Sequence, residues 1–196
     1  MLGAMTKHAD TRRARIRARL EDARSDRTCL RIATTTGDDV VGFVVGVGRR
    51  WAALAVAAPW PDGLTVVRLA GMERLHAVEP ASVERHAFER EDAWPPATPQ
   101  RLDLDRTDVM LVELAARYPV LGLQLRDSDD DLFVGAPALV AEGTLLLHEL
   151  GPDATWDALS TWRLRDLSRV SVGGRYLTLL ADLAPARPEQ PSPFAD

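Results

Sequence analysis

The chain has 196 residues, 46% of them hydrophobic and 27% charged, enough apolar material for a packed core and too much for a disordered chain. No apolar run approaches the ~20 residues of a spanning helix, and the opening MLGAMTKHADTRRARIRARL lacks the apolar stretch of a secretory signal. A single cysteine, Cys29, excludes an internal disulfide and any thiol-only metal site, and a formal net charge of −5 counts against a dedicated nucleic-acid binder.

Residues 1–27 are the basic end, with eight Lys/Arg against four Asp/Glu. The segment TRRARIRARLEDAR, 11–24, contains no Gly or Pro and is rich in helix formers, so it predicts a helix. Ile16, Leu20 and Ala23 share one face, a narrow apolar stripe suited to leaning on another surface. From Thr28 the pattern changes to short apolar, often β-branched runs: CLRIATT, VVGFVVGV, WAALAVAA, LTVVRL and ERLHAV. TGDD, GRR, PWPDG and AG punctuate them, which predicts a small antiparallel β unit over 28–80. Gly42, Gly46 and Gly48 fall in or beside the second run and mark bends or close backbone approach.

Residues 81–104, with Pro95, Pro96 and Pro99 in a mixed-charge stretch, predict an interdomain linker. The next unit spans 105–183. Its RTDVMLVELAAR, 106–117, predicts a helix with Asp105 or Thr107 placed to cap it. Val109, Leu111, Val112, Leu114 and Ala115 make it more apolar than the first helix, so deeper burial is expected. VLGLQL, LFVGAPALV, TLLLHEL, STWRL and SRVSV predict five further strands, and RYLTLLADLA a short C-terminal helix. The Pro-rich tail, 184–196, predicts disorder.

The two halves echo one another. VVRLAGMERL at 66–75 and TWRLRDLSRV at 161–170 share an Arg-Leu pair, with Arg68 and Arg163 95 residues apart. Each half reads as a helix followed by about five strands. That order resembles the Sm-like barrel, one of the SH3-like small β-barrels, whose fourth and fifth strands are joined by a tight 3₁₀-like turn. Ala70-Gly71-Met72 and Arg165-Asp166-Leu167 lie at that place. The second half is also similar to uncharacterised bacterial proteins with tandem barrels of this kind, a likeness that brings no activity with it. The resemblance implies a mainly β, α+β chain: two five-stranded barrels, each preceded by an α-helix, in a pseudo-twofold repeat. RNA-binding Sm proteins carry an Asp-x-x-Met-Asn signature and an Arg-Gly turn. Here those regions read GVGRRW and AG, then APALVAEG and RD, and the chain has no Asn, so their uridine-reading pocket does not carry over.

Chemistry-bearing motifs are sparse. GVGRRW at 46–51 lacks the third glycine of a dinucleotide loop and leads into a strand, so it reads as a hairpin turn. Asp127, Asp129 and Asp131 have calcium-loop spacing, but Leu132 and Ala138 stand where Gly and Glu are needed, which leaves a solvated turn. His8, His76, His86 and His148 never fall at metal-ligand spacing, and His148 reads as a half-exposed strand residue. Cys29 begins a strand and reads as an apolar filler. No catalytic activity, metal or cofactor is expected. The expectation is a cytoplasmic, non-enzymatic interaction protein that binds a protein or small ligand in a groove between its halves or on a loop face. A second copy of the chain or another protein is the expected partner, without membrane contact.

Candidate ligand-binding residues are Arg12, Arg13 and Arg15 on the first helix, and Trp60 and Trp156 in loops before the fourth strand of each half. The arginines read as a solvated face or as phosphate contacts. The tryptophans read as packing residues or as stacking platforms. RNA binding through both is the alternative function, disfavoured by the acidic balance of the chain. Arg68, Arg74, Arg163 and Arg169 read as bonds to turn carbonyls or to carboxylates such as Asp166, a structural signature rather than a site.

Overall fold

Each run of β-branched and aliphatic residues becomes a strand in the computed structural model, which describes residues 2–35, 39–57, 62–79, 102–126 and 131–188. Helix α1 (Leu2–Asp26) leads into β1 (Cys29–Thr34), β2 (Val40–Val47), β3 (Trp51–Val56) and β4 (Leu64–Arg68). A 3₁₀ turn (Leu69–Gly71) then joins β4 to β5 (Met72–Ala77). The second half repeats the sequence of elements. It runs α2 (Thr107–Ala115), β6 (Leu121–Leu125), β7 (Phe133–Ala141), β8 (Thr144–Leu150) and β9 (Trp156–Arg163). A second 3₁₀ turn (Leu164–Asp166), β10 (Leu167–Val172) and α3 (Arg175–Leu183) complete it. The overall class is α+β.

All ten strands belong to one antiparallel sheet, in the order β5-β1-β2-β3-β4-β10-β6-β7-β8-β9. This overturns the expectation of two separate five-stranded barrels. The last strand of the second half, β10, pairs directly with β4 of the first, Val170 opposite Val66 and Ser171 opposite Thr65. The Thr65 and Ser171 hydroxyls bond across that seam at 3.0 Å. Two barrels would leave apolar strands such as Leu64-Thr65-Val66-Val67 with an open edge, and sheet continuation removes it. The pseudo-twofold is corrected by the same order: the halves follow one another head to tail, 5-1-2-3-4 then 10-6-7-8-9, whereas a twofold would reverse the second run.

The core follows the seam. One apolar cluster takes Val45, Trp51, Ala53, Leu64 and Val66 from the first half and Met110, Leu114, Leu123, Leu145 and Val170 from the second. Helix α1 packs on the first half through Ile16, Leu20 and Ala23, the stripe its sequence carries, with Leu20 fully buried. It ends in a Schellman arrangement: Arg27 adopts φ 53°, its N–H reaches Arg24 O at 3.3 Å, and Thr28 N–H reaches Ala23 O at 2.9 Å. Helix α3 packs on the far side through Leu177 and Leu180.

Helix α2 differs in detail from its expectation. Met110, Leu111 and Leu114 are buried while Val112 is exposed. Neither Asp105 nor Thr107 caps the helix. Asp103 Oδ1 accepts the N–H groups of Asp105 and Arg106 at 2.9 and 3.0 Å, and Thr107 Oγ1 accepts Trp51 Nε1–H at 3.0 Å. The segment before α2 docks on the β2–β3 turn, where the N–H of Trp51 reaches Leu104 O at 3.1 Å. Only glycine fits at position 48, because a Cβ there would sit 2.6 Å from the Leu104 backbone. The β7–β8 hairpin turns on Glu142 and Gly143, both at positive φ, the pattern of a two-residue turn. The expected linker lies outside the described residues except for 102–104. The expected disordered tail is described through 188, and Arg187 donates to Pro137 O at 2.7 Å.

Candidate functional site

The seam between the halves is also where arginines gather. Trp51 opens β3 and is fully buried. Arg68 ends β4 directly opposite it, and its guanidinium carbon lies 4.6 Å from the centre of the indole ring. Arg68 then reaches into the second half: Nε donates to Leu167 O at 2.7 Å and a terminal nitrogen to Leu164 O at 2.6 Å. The first half is thereby clamped onto the second 3₁₀ turn.

Backbone bonds at the two turns bring further arginines alongside. Leu69 N–H bonds to Arg50 O at 2.9 Å, which holds Arg50 against the first turn. Arg126 N–H bonds to Asp166 O at 2.9 Å, which holds Arg126 against the second. Leu164 N–H bonds to Gly143 O at 2.9 Å and brings the β7–β8 hairpin over the same turn. Between these elements lies a cleft of about 760 Å³, walled by Arg50, Arg68, Arg163 and Arg165, the start of α2 and the hairpin. A second cavity of about 240 Å³ shares Arg50 and Arg68 with it and adds Arg13, Arg49 and Arg126.

Among the described residues of the two linings, seven arginines therefore face two carboxylates, Asp108 and Glu142. Those carboxylates neutralise little of the charge, because Asp108 is taken up by Arg106 at 2.8 Å and Glu142 stands exposed on the hairpin. Arg49 pairs with Asp105 at 2.9 Å and Arg165 with its neighbour Asp166 at 3.6 Å. Arg13, Arg50, Arg126 and Arg163 make no ion pair with any described residue. Arg68 feels the excess. Burial first, then the charges of Arg126, Arg50 and Arg13, press its pKa down from 12.5 to about 10, against the opposing pull of Asp166. It stays protonated at neutral pH, and its two short carbonyl bonds favour that charged form.

The sequence-predicted candidates separate. Arg13 lines the smaller cavity. Arg12 donates to Met72 O at 3.0 Å and, with Arg15, borders a groove of about 210 Å³ between α1 and β5. Trp156 is tied to the C-terminal segment, its Nε1–H on Pro185 O at 2.9 Å. Trp60 lies outside the described residues. His148 is buried rather than half-exposed, beside Trp156, and Cys29 is buried in β1 opposite Phe43 of β2; neither lines the arginine cleft. Among the described residues no three His, Cys, Asp or Glu side chains gather as a metal site.

Arg49, Arg50, Arg126, Arg163 and Arg165 are the residues that sequence reasoning passed over as site members. Their shared signal was position: each stands where a strand meets a turn, in GRRW, LQLRD and WRLRD. Turn positions in one layer of a sheet meet at one end of it, and there these arginines converge. Among the described residues, no helix is long and apolar enough to cross a membrane. No protein-family model, curated protein or solved structure matches the chain.

Proposed function

We propose that this chain is a non-enzymatic binding protein, cytoplasmic, whose ligand occupies the arginine-walled cleft between its halves and is an anion. One observation carries the reading: four arginines without an ion-pair partner among the described residues surround a fifth, Arg68, that is partly desolvated and fixed in place. Uncompensated cations held together by a fold are a cost to folding, and an anion that enters the cleft offsets it. The turns that carry the site are anchored by backbone bonds and the Arg68 fork is held by two carbonyls, so that donor is preorganised, while the exposed arginines around it order on binding.

The reading is tested by thermal unfolding at fixed ionic strength in chloride, sulfate, phosphate and citrate. The multivalent anions raise Tm by several degrees over chloride, following mass action. A variant with both Arg50→Gln and Arg163→Gln, two exposed side chains, has a chloride Tm equal to or above that of the parent chain and loses the anion-dependent rise. Equal Tm values in all four salts would sink the proposal. RNA held by Arg12, Arg13, Arg15, Trp60 and Trp156 stands as the weaker alternative, since Arg12 and Trp156 are already engaged by backbone carbonyls.

A further inference from the structure

We propose that the anion is a compact small molecule carrying a chain of two or three phosphates, recognised through those phosphates and lying across the wall that the two cavities share. This rests on the anion-binding reading above and narrows its ligand.

Charge sets the lower bound. Arg13, Arg50, Arg126 and Arg163, without ion-pair partners among the described residues, together with protonated Arg68 present about five positive charges. A monocarboxylate or a single phosphate brings about −1 to −2 and leaves most of that field uncompensated. A di- or triphosphate chain matches it. Guanidinium forks also suit phosphate oxygens in pairs, and several forks at different angles suit several phosphates.

Shape sets the route. The cavity of about 760 Å³ lies within the range of small-molecule sites, and the smaller one of about 240 Å³ is an annex behind Arg50 and Arg68. A flexible phosphate chain can straddle that wall with both arginines bonded on either side.

One feature speaks against a polymer. Among the described residues no aromatic ring lines either cavity, and Trp51 is sealed beneath Arg68, so they offer no platform for stacking successive bases. A short anion held inside needs none.

The test is isothermal titration calorimetry on the full chain at constant ionic strength. Its probes are inorganic phosphate, pyrophosphate, tripolyphosphate, citrate and a 12-nucleotide oligouridine. The proposal expects affinity to rise by about tenfold or more from phosphate to tripolyphosphate at one-to-one stoichiometry. It expects Arg50→Gln with Arg163→Gln to remove most of that gain, while Arg24→Gln with Arg31→Gln, two exposed arginines that line neither cavity, leaves it unchanged. Circular dichroism confirms that both double variants are folded. Citrate or phosphate binding as tightly as tripolyphosphate overturns the phosphate-chain proposal and leaves the anion site standing. Oligouridine binding more tightly than tripolyphosphate, sensitive to both double variants, overturns it in favour of a polymer. Binding of all probes that both double variants leave intact overturns it as non-specific. If no probe binds, this proposal and the anion-binding reading fall together.

Discussion

Arg68 and Arg163 occupy equivalent places in the two echoing segments, yet they do different work. Arg68 closes on the carbonyls of Leu164 and Leu167, which lie 96 and 99 residues away in sequence. Arg163 ends β9, the outer strand of the sheet, so among the described residues no strand pairs beyond it to offer such carbonyls, and its side chain stays in the cleft wall. The Arg-Leu pair was legible as a turn signature; the distant carbonyls were not, because a partner 99 residues away leaves no local pattern. Arg68→Lys keeps the charge and loses the planar fork over Trp51, so it should lower stability by about 2 kcal/mol, or roughly 4–8 °C in Tm, by thermal denaturation. An unchanged Tm would mean that the clamp adds nothing. A second residue shows the opposite sign. Arg27 holds φ 53° at the end of α1, where a side chain carries a steric cost that glycine avoids. Arg27→Gly should raise stability by up to about 1 kcal/mol in chemical denaturation.

At the scale of elements, the periodicities were readable wherever one face decided burial. The stripe Ile16, Leu20 and Ala23 predicted how α1 leans, and it does so. What the stripe could not show is that the polar side of α1 also docks. Arg12 and Arg19 donate to Met72 O and Leu75 O of β5, at 3.0 and 2.8 Å, and so blunt an outer strand of the sheet. The lead-in to α2 was misread for a similar reason: a helix-capping role for Asp105 follows from its position, but a stronger donor pair reached it first. Its Oδ1 accepts Arg49 N–H at 2.6 Å and its Oδ2 accepts Arg49 Nε–H at 2.9 Å. The backbone bond, then the guanidinium bond and its charge, hold the Asp105 pKa below its ordinary 3.8. A depressed carboxylate stabilises the fold above its unfolded value, and that stability is lost as pH falls through the folded one. Asp105→Asn should therefore weaken the protein at neutral pH, with the gap to the parent chain closing below pH 3.8. The contribution is small, because the carboxylate is 37% exposed and screened. Denaturant midpoints measured between pH 2 and 7 would show the convergence, and a constant gap would rule it out.

For the molecule as a whole, the order of helices and strands was legible and their meeting was not. Alternation along β10 looks the same whether its edge faces water or another strand, and the choice of β4 as neighbour is non-local. One local sign did exist. Leu64-Thr65-Val66-Val67 is buried on both faces, the pattern of a strand inside a sheet rather than at its rim. The consequence is thermodynamic. Two barrels joined by a linker would have two cores and would unfold in two steps when their stabilities differ. Here the cluster at the seam draws Trp51, Leu64 and Val66 from one half and Met110, Leu123 and Val170 from the other, beside smaller clusters within each half, and the Arg68 clamp crosses the same seam. Separating the halves would open the shared cluster on both sides at once, so neither keeps its full core alone. Differential scanning calorimetry should show one transition whose calorimetric and van't Hoff enthalpies agree. Residues 1–101 and 102–196 made as separate chains should each be largely unfolded and should regain structure when mixed. Two resolved transitions, or a fragment that folds cooperatively by itself, would mean that the sheet is continuous in its hydrogen bonds and divided in its energetics.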